Sequence, residues 1–403
     1  MTTSSWPVRP LAECGRLLSG GTPSKANASY WEGRIPWYSS KELKAFELSD
    51  SELHVSSEGA TNGSNLVPPG TVLFVVRGMS LANEFRVSRT LVEATFNQDV
   101  KALIPAPDLD SRYLTRCLRW LQPRVLSSTE ESSHGTKRLP GQVFENLPVP
   151  VPPLPEQRRI ADILDKADAI RRKRKEAIAL TEELLRSAFL DMVGPAARDY
   201  STWPVRTIES LAAEIPNAMR TGPFGSDLRH SEFVDDGIAV LGIDNAVQNR
   251  FAWGERRFIT QEKYDDLRRY TVRPGDVIVT IMGTTGRSAV VPDDIPTAIT
   301  TKHLATITLD RKQAEPEFVS QALFRHPEVL QQIAAANRGA IMSGLNLGLI
   351  KALRIPVPPI ERQREFARVT LRGRAVTARM TTDTETEDLF NTLVARAFSG
   401  NLS

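Results

Sequence analysis

The stretch PVPPLPEQRRI, beginning at Pro150, returns in altered form at Pro356 as PVPPIERQREF. A repeated entry from a proline run into a helix constrains this chain more than any other feature. Prolines at this density hold the backbone extended, so little chain entropy is left to lose there. Pro155 stands where a first helical residue belongs, and Glu156 suits the positive end of the helix that follows. Three further matches keep the same order. WPVR occurs at Trp6–Arg9 and Trp203–Arg206, VPPGTVLFVVRG (Val67–Gly78) parallels VRPGDVIVTIMG (Val272–Gly283), and LLRSAF parallels LVARAF around Phe189 and Phe398. The offsets are 197, 205, 206 and 209. Conserved order with drifting offsets is the signature of internal duplication with loops of different length.

Each half reads as mixed α/β. Short β-rich runs follow the turns Pro69-Gly70 and Pro274-Gly275, and helical stretches such as SRYLTRCLRWLQ and EFVSQALFRH lie among them. A long helix should follow each proline junction, about Glu156–Met192 and about Arg362–Phe398. Apolar residues recur at 3–4 spacing in both. The first seam runs Ile160, Ile163/Leu164, Ala167, Ile170, Ala177/Ile178, Leu184/Leu185, Ala188. The second runs Phe366, Val369, Val376, Met380, Leu389/Phe390, Leu393, Ala397. Arg174 and Thr181 interrupt the first; the second is threonine-rich in its middle and weakened by Gly373. Neither should be stable alone, so the two are expected to pack antiparallel. The expected organisation is a domain over 1–150, a helix over 151–195, a second domain over 196–356 and a second helix over 357–403. About 33 helical residues span about 50 Å, the length of about 15 base pairs of duplex DNA.

The chain of 403 residues carries a net charge of +3. Residues 1–153 hold 16 basic and 15 acidic side chains, and residues 200–359 hold 18 of each. A polyanion site must therefore come from local clustering rather than bulk charge. Cys14 and Cys117 have no metal-ligand spacing and read as reduced thiols. The longest clean apolar run, Val72–Val76, is far short of the roughly 20 residues of a membrane helix, and a cytoplasmic location is expected.

The order of motifs resembles the specificity subunits of type I restriction-modification systems. The resemblance rests on GGTPSKANASYWEGRIPWYSSKEL (Gly20–Leu43), FNQDVKALIP (Phe96–Pro105) and LPVPVPPLPEQRRIADILDKADAIRRKRK (Leu147–Lys175). In the second half it rests on TGPFGSDLRHSEFVDDGIAVLGIDN (Thr221–Asn245) and RPGDVIVTIMGTTGRSAVVPD (Arg273–Asp293). It implies two similar target-recognition domains joined by two long antiparallel coiled-coil helices. Each domain would read half of a bipartite duplex DNA target, and the helices would dock modification subunits, two in number. Restriction and translocation subunits would join through these. The subunit itself would hold no cofactor and perform no chemistry. The second helix departs from the pattern in its polar middle and in reading ERQREF against PEQRRI.

No phosphate loop, dinucleotide fingerprint or HExxH zinc motif is present, and GTTG (Gly283–Gly286) lacks a following lysine. His54, His134, His230, His303 and His326 are scattered. A stand-alone methyltransferase or nuclease, or a protein scaffold, stands as the alternative. DNA readers use Arg and Lys on phosphates and guanine, and Ser, Thr, Asn and Gln on base edges. The candidate contacts are Ser24, Lys25, Ser39, Ser40, Lys41, Arg77, Lys137 and Arg138 in the first half. In the second they are Ser226, Arg229, His230, Asn245, Thr284, Thr285, Arg287, His303, Arg338 and Ser343. The run RRKRK (Arg171–Lys175) reads either as a DNA-facing or as a solvated, partner-facing helix surface.

Overall fold

The computed structural model describes residues 6–131, 136–336, 344–380 and 383–402. Its contacts divide into two compact units, residues 1–174 with 382–403, and residues 175–381.

In the first unit a five-stranded sheet runs in the order Gly15–Ser19, Val100–Pro105, Val72–Val75, Val87–Thr90, Glu47–Leu48. A three-stranded sheet places Ile35–Tyr38 between His54–Val55 and Thr95–Phe96, with the last pair parallel. The second unit repeats this plan. Met219–Thr221, Leu304–Ile307, Val277–Thr280 and Ser288–Val290 form one sheet, and Phe258–Ile259, Ile238–Leu241 and Ala298–Thr300 the other, again ending in a parallel pair. The WPVR strands close both units the same way. Val8 pairs Pro150, and Val205 pairs Pro356. Each proline junction is thus the last strand of its unit before the chain turns into a helix.

The central strands Val72–Val75 and Val277–Thr280 are buried throughout, which explains their unbroken apolar runs. A helix covers each sheet, Ser111–Trp120 in the first unit and Pro316–Arg325 in the second. Phe74 meets Phe85 and Phe144 edge-on in the first core, and Phe318 is fully buried in the second. Cys14 and Cys117 are buried free thiols, and burial pushes the Cys14 pKa up to about 11. No helix among the described residues is long and apolar enough to cross a membrane.

The first long helix is Leu154–Val193, with Pro155 at its second position. The expected second helix Arg362–Phe398 is described as Ile360–Met380 and Asp383–Phe398, residues 381–382 lying outside the described residues. The helices run antiparallel within each unit. In the first, Arg159 donates to the Leu402 carbonyl and Arg171 lies over the Phe390 ring. In the second, Leu185 faces Gly373 and Phe189 meets Phe366 edge-on. A Cβ at Gly373 would come within 2.8 Å of the Leu185 side chain, so the glycine that weakens the helix lets this leucine seat.

The seams are narrower than the sequence spacing predicts. Gln157, Ile160, Ala161, Leu164 and Asp168 are buried, and then Leu185, Phe189 and Val193. Ile170, Leu184, Val376 and Leu389 are exposed, because the helices bury the face that meets each unit's covering helix as well as the face that meets each other.

One buried glutamine holds each helix to its unit. Gln157 accepts from the Asp110 amide at 2.8 Å and donates to the carbonyls of Asp108 (2.9 Å) and Pro152 (2.8 Å). Gln363 accepts from Glu315 at 2.9 Å and donates to Gln313 (3.3 Å) and Pro358 (2.7 Å). Asp110 and Glu315 are the N-caps of the two covering helices. A single side chain therefore ties the proline junction, the long helix and the covering helix together.

Candidate nucleic-acid interface

Strand register gathers the same loops at one end of the sheets in both units. In the first, Lys101 pairs Ser19, Val100 pairs Val75, and Tyr38 pairs Phe96. The loops around residues 20–25, 39–42, 76–79 and 97–99 therefore emerge together. They are joined by hydrogen bonds. The Gly21 amide donates to the Phe96 carbonyl at 2.9 Å, Trp37 Nε1 to the Gly21 carbonyl at 2.9 Å, and Thr22 Oγ1 to Gln98 Oε1 at 2.7 Å. The Asn97 amide donates to Tyr38 at 2.9 Å and the Val76 amide to Asp99 at 2.9 Å. A Cβ at Gly20 would lie 2.1 Å from the Asn97 carbonyl oxygen, so only glycine permits this approach.

A small sheet extends the cluster. Lys137 and Arg138 pair with Gly78 and Arg77, and the Leu139 amide donates to the Val76 carbonyl at 2.8 Å. Arg77, Gln98, Lys101 and Arg138 consequently line one groove together with Glu145. Arg77 forms an ion pair with Asp99 at 2.6 Å and stays half exposed. Lys25 and Lys41 are exposed on the neighbouring loops, as is Ser24. Ser39 is held by Glu42 through both its amide and its hydroxyl, and Ser40 is half-buried beside it.

In the second unit Leu241 pairs Thr300, Thr280 pairs Leu304, and Thr221 pairs Ala305. The loops around residues 222–227, 242–245, 281–287 and 301–303 converge in the corresponding way. The Thr301 amide donates to Leu241 and the Ile281 amide to His303, both at 2.9 Å. Thr284 and Arg287 are exposed on the third loop and Thr285 is half-buried. Burial and the adjacent Lys302 lower the His303 pKa, so its ring is neutral at physiological pH. Asn245 is buried: its carbonyl accepts from Gly242 at 2.8 Å and its amide donates to Ala252 at 2.9 Å, so it shapes the loop from within. Arg229 and His230 are exposed on the turn that follows the first of these loops, where Glu232 pairs with Lys263. Arg338, Ser343, His134 and the Ser226 side chain lie outside the described residues.

Sequence reasoning missed Thr22, Gln98, Asp99 and Lys101. The available signal was FNQDVK: its Asn97-Gln98-Asp99 stands where the second half has Thr301-Lys302-His303. In the basic run of the first helix, Arg171 bonds Asp168 at 2.8 Å, while Arg172 is 70% exposed. Among the described residues no group of three or more His, Cys, Asp or Glu side chains could hold a metal ion.

Residues 3–180 match the family described as the Type I restriction modification DNA specificity domain. The chain is 30% identical over 178 residues to the EcoR124I/EcoR124II specificity subunit of Escherichia coli, a match covering 44% of each protein. The matched region is thus less than half of that relative's length. It is 19% identical over 374 residues to the MjaVIII specificity subunit of Methanocaldococcus jannaschii, covering 90% of this chain and 84% of that one. The fold is similar to the type I S subunit of M. genitalium, with a TM-score of 0.64 at 14% identity, over 99% of this chain and 97% of the other.

Proposed function

We propose that this chain, whose residues 3–180 match the type I DNA specificity domain and which is similar to type I specificity subunits, is the DNA-recognition subunit of a type I restriction-modification complex. Residues 1–150 and 196–356 each read one half of a bipartite duplex target. The long helices set the unread gap and dock modification subunits, through which restriction subunits join. Methyl transfer and cleavage are the work of those partner chains, and this subunit is not itself catalytic.

The observation that carries the reading is the duplicated loop cluster. Two units with little identity outside short motifs bring the same four loops to the same sheet end. Each cluster combines basic side chains with hydrogen-bonding ones, Arg77, Arg138, Lys101 and Gln98 in one, Arg287, Lys302 and Thr284 in the other. Both units are charge-balanced in bulk, so these local groups would have to neutralise the phosphates.

Binding of the full chain to its selected duplex should weaken steeply with salt. Neutralising four phosphates predicts about a 50-fold loss on a threefold rise in salt concentration. A flat response would overturn the reading.

A further inference from the structure

Among the described residues, Met79 and Met282 are the exposed methionines, at 76% and 44%. The others described, Met192, Met219 and Met380, are partly buried. The two exposed ones occupy the same turn of the duplicated fold. Both follow a central buried strand, Val72–Val75 or Val277–Thr280, and both flank a glycine in the left-handed region, Gly78 at φ 153° and Gly283 at φ 71°. The turns read Arg77-Gly78-Met79 and Met282-Gly283-Thr284. Each therefore presents one hydrogen-bonding side chain and one methionine, on opposite sides of the glycine.

Both methionines lie exposed at the same turn of the two units, beside basic side chains. A protein groove is disfavoured by the company each keeps, Arg77, Lys137 and Arg138 beside Met79 and Arg287 near Met282. A polyanion with an apolar feature fits better. The major groove of DNA offers such a feature, the 5-methyl group of thymine, beside the acceptors that arginine and threonine would read. The flexible thioether adapts to a small apolar knob without demanding one rotamer.

Resting on the DNA-recognition reading, we propose that Met79 and Met282 each press on the 5-methyl group of one thymine, one in each half of the target. The test uses the full chain and its selected duplex, with every thymine replaced in turn by deoxyuridine, which lacks only that methyl. Wild type should lose about fourfold in affinity at one position in each half, the worth of one buried methyl-sized group. Met79→Ala should abolish the sensitivity in one half and keep it in the other, and Met282→Ala should do the reverse. Met79→Leu should restore it. Sensitivity that persists in both alanine variants would overturn the proposal. So would alanine variants that weaken binding while wild type ignores deoxyuridine, the behaviour of a wedge between base steps. Variants that bind DNA as wild type does would return these residues to a protein interface. A wild type with no preference for any duplex would instead overturn the recognition reading on which this one stands.

Discussion

Gln157 and Gln363 do the same work 206 residues apart, at the same position of the repeated junction. Each satisfies a backbone amide and a carbonyl at the start of its covering helix and one carbonyl of its proline run. Replacing Gln157 by leucine removes three bonds and leaves those groups dry. Each buried unpaired group costs about 1–3 kcal/mol. Chemical denaturation of the Gln157→Leu chain should therefore show a loss of at least about 3 kcal/mol. A loss below about 1 kcal/mol would mean that water replaces the side chain. The repeated prolines made the junction visible in the sequence. The glutamine's part was not visible, because its partners, Asp108 and Asp110 or Gln313 and Glu315, are about 50 residues away in the chain.

At the scale of elements, the two copies join covering helix to long helix with opposite polarity. In the first unit Arg112 and Arg116 on the covering helix bind Asp162, Asp165 and Asp168 on the long helix. In the second, Glu317 occupies the place of Arg112, and Arg374 the place of Asp168, bonding at 2.9 Å through both guanidinium nitrogens. Burial opposes ionisation of Asp168, yet Arg116 and Arg171 outweigh it and the pKa is lowered. At Glu317 burial prevails over Arg374 and Gln321 and the pKa is raised. Glu317→Arg should therefore cost about 3–5 kcal/mol, the usual loss on breaking a buried pair. Glu317→Arg with Arg374→Glu should recover more than half of that in urea titrations; a double variant no better than the single would deny the pair its role. The 3–4 apolar spacing announced both long helices. It misassigned Ile170 and Val376, and in the pairs Leu184/Leu185 and Leu389/Phe390 only Leu185 and Phe390 turn inward while Leu184 and Leu389 stay exposed, because periodicity alone does not say that a helix serves two neighbours. The charge reversal was written in the sequence, but only the pairing of helices gives it meaning.

For the whole molecule, duplication was the most legible property. It delivered two mixed α/β units of one plan, with a helix after each. It marked one loop in each cluster, since Arg77 lies in one repeated motif and Thr284 and Arg287 follow its counterpart. Strand order was not legible. The parallel pairs Tyr38–Phe96 and Leu241–Thr300 join segments about 60 residues apart, and they are what bring the loops together. On the proposed reading, continuous helix rather than the recognition loops determines the unread gap of the target. Leu154–Val193 holds 40 residues in one helix. Four residues inserted within Leu180–Leu185 would lengthen it by about 6 Å. The methylated target of the complex carrying that insertion, read genome-wide in the host, should keep both half-sites and gain one or two base pairs between them. An unchanged gap with both half-sites intact would contradict the account.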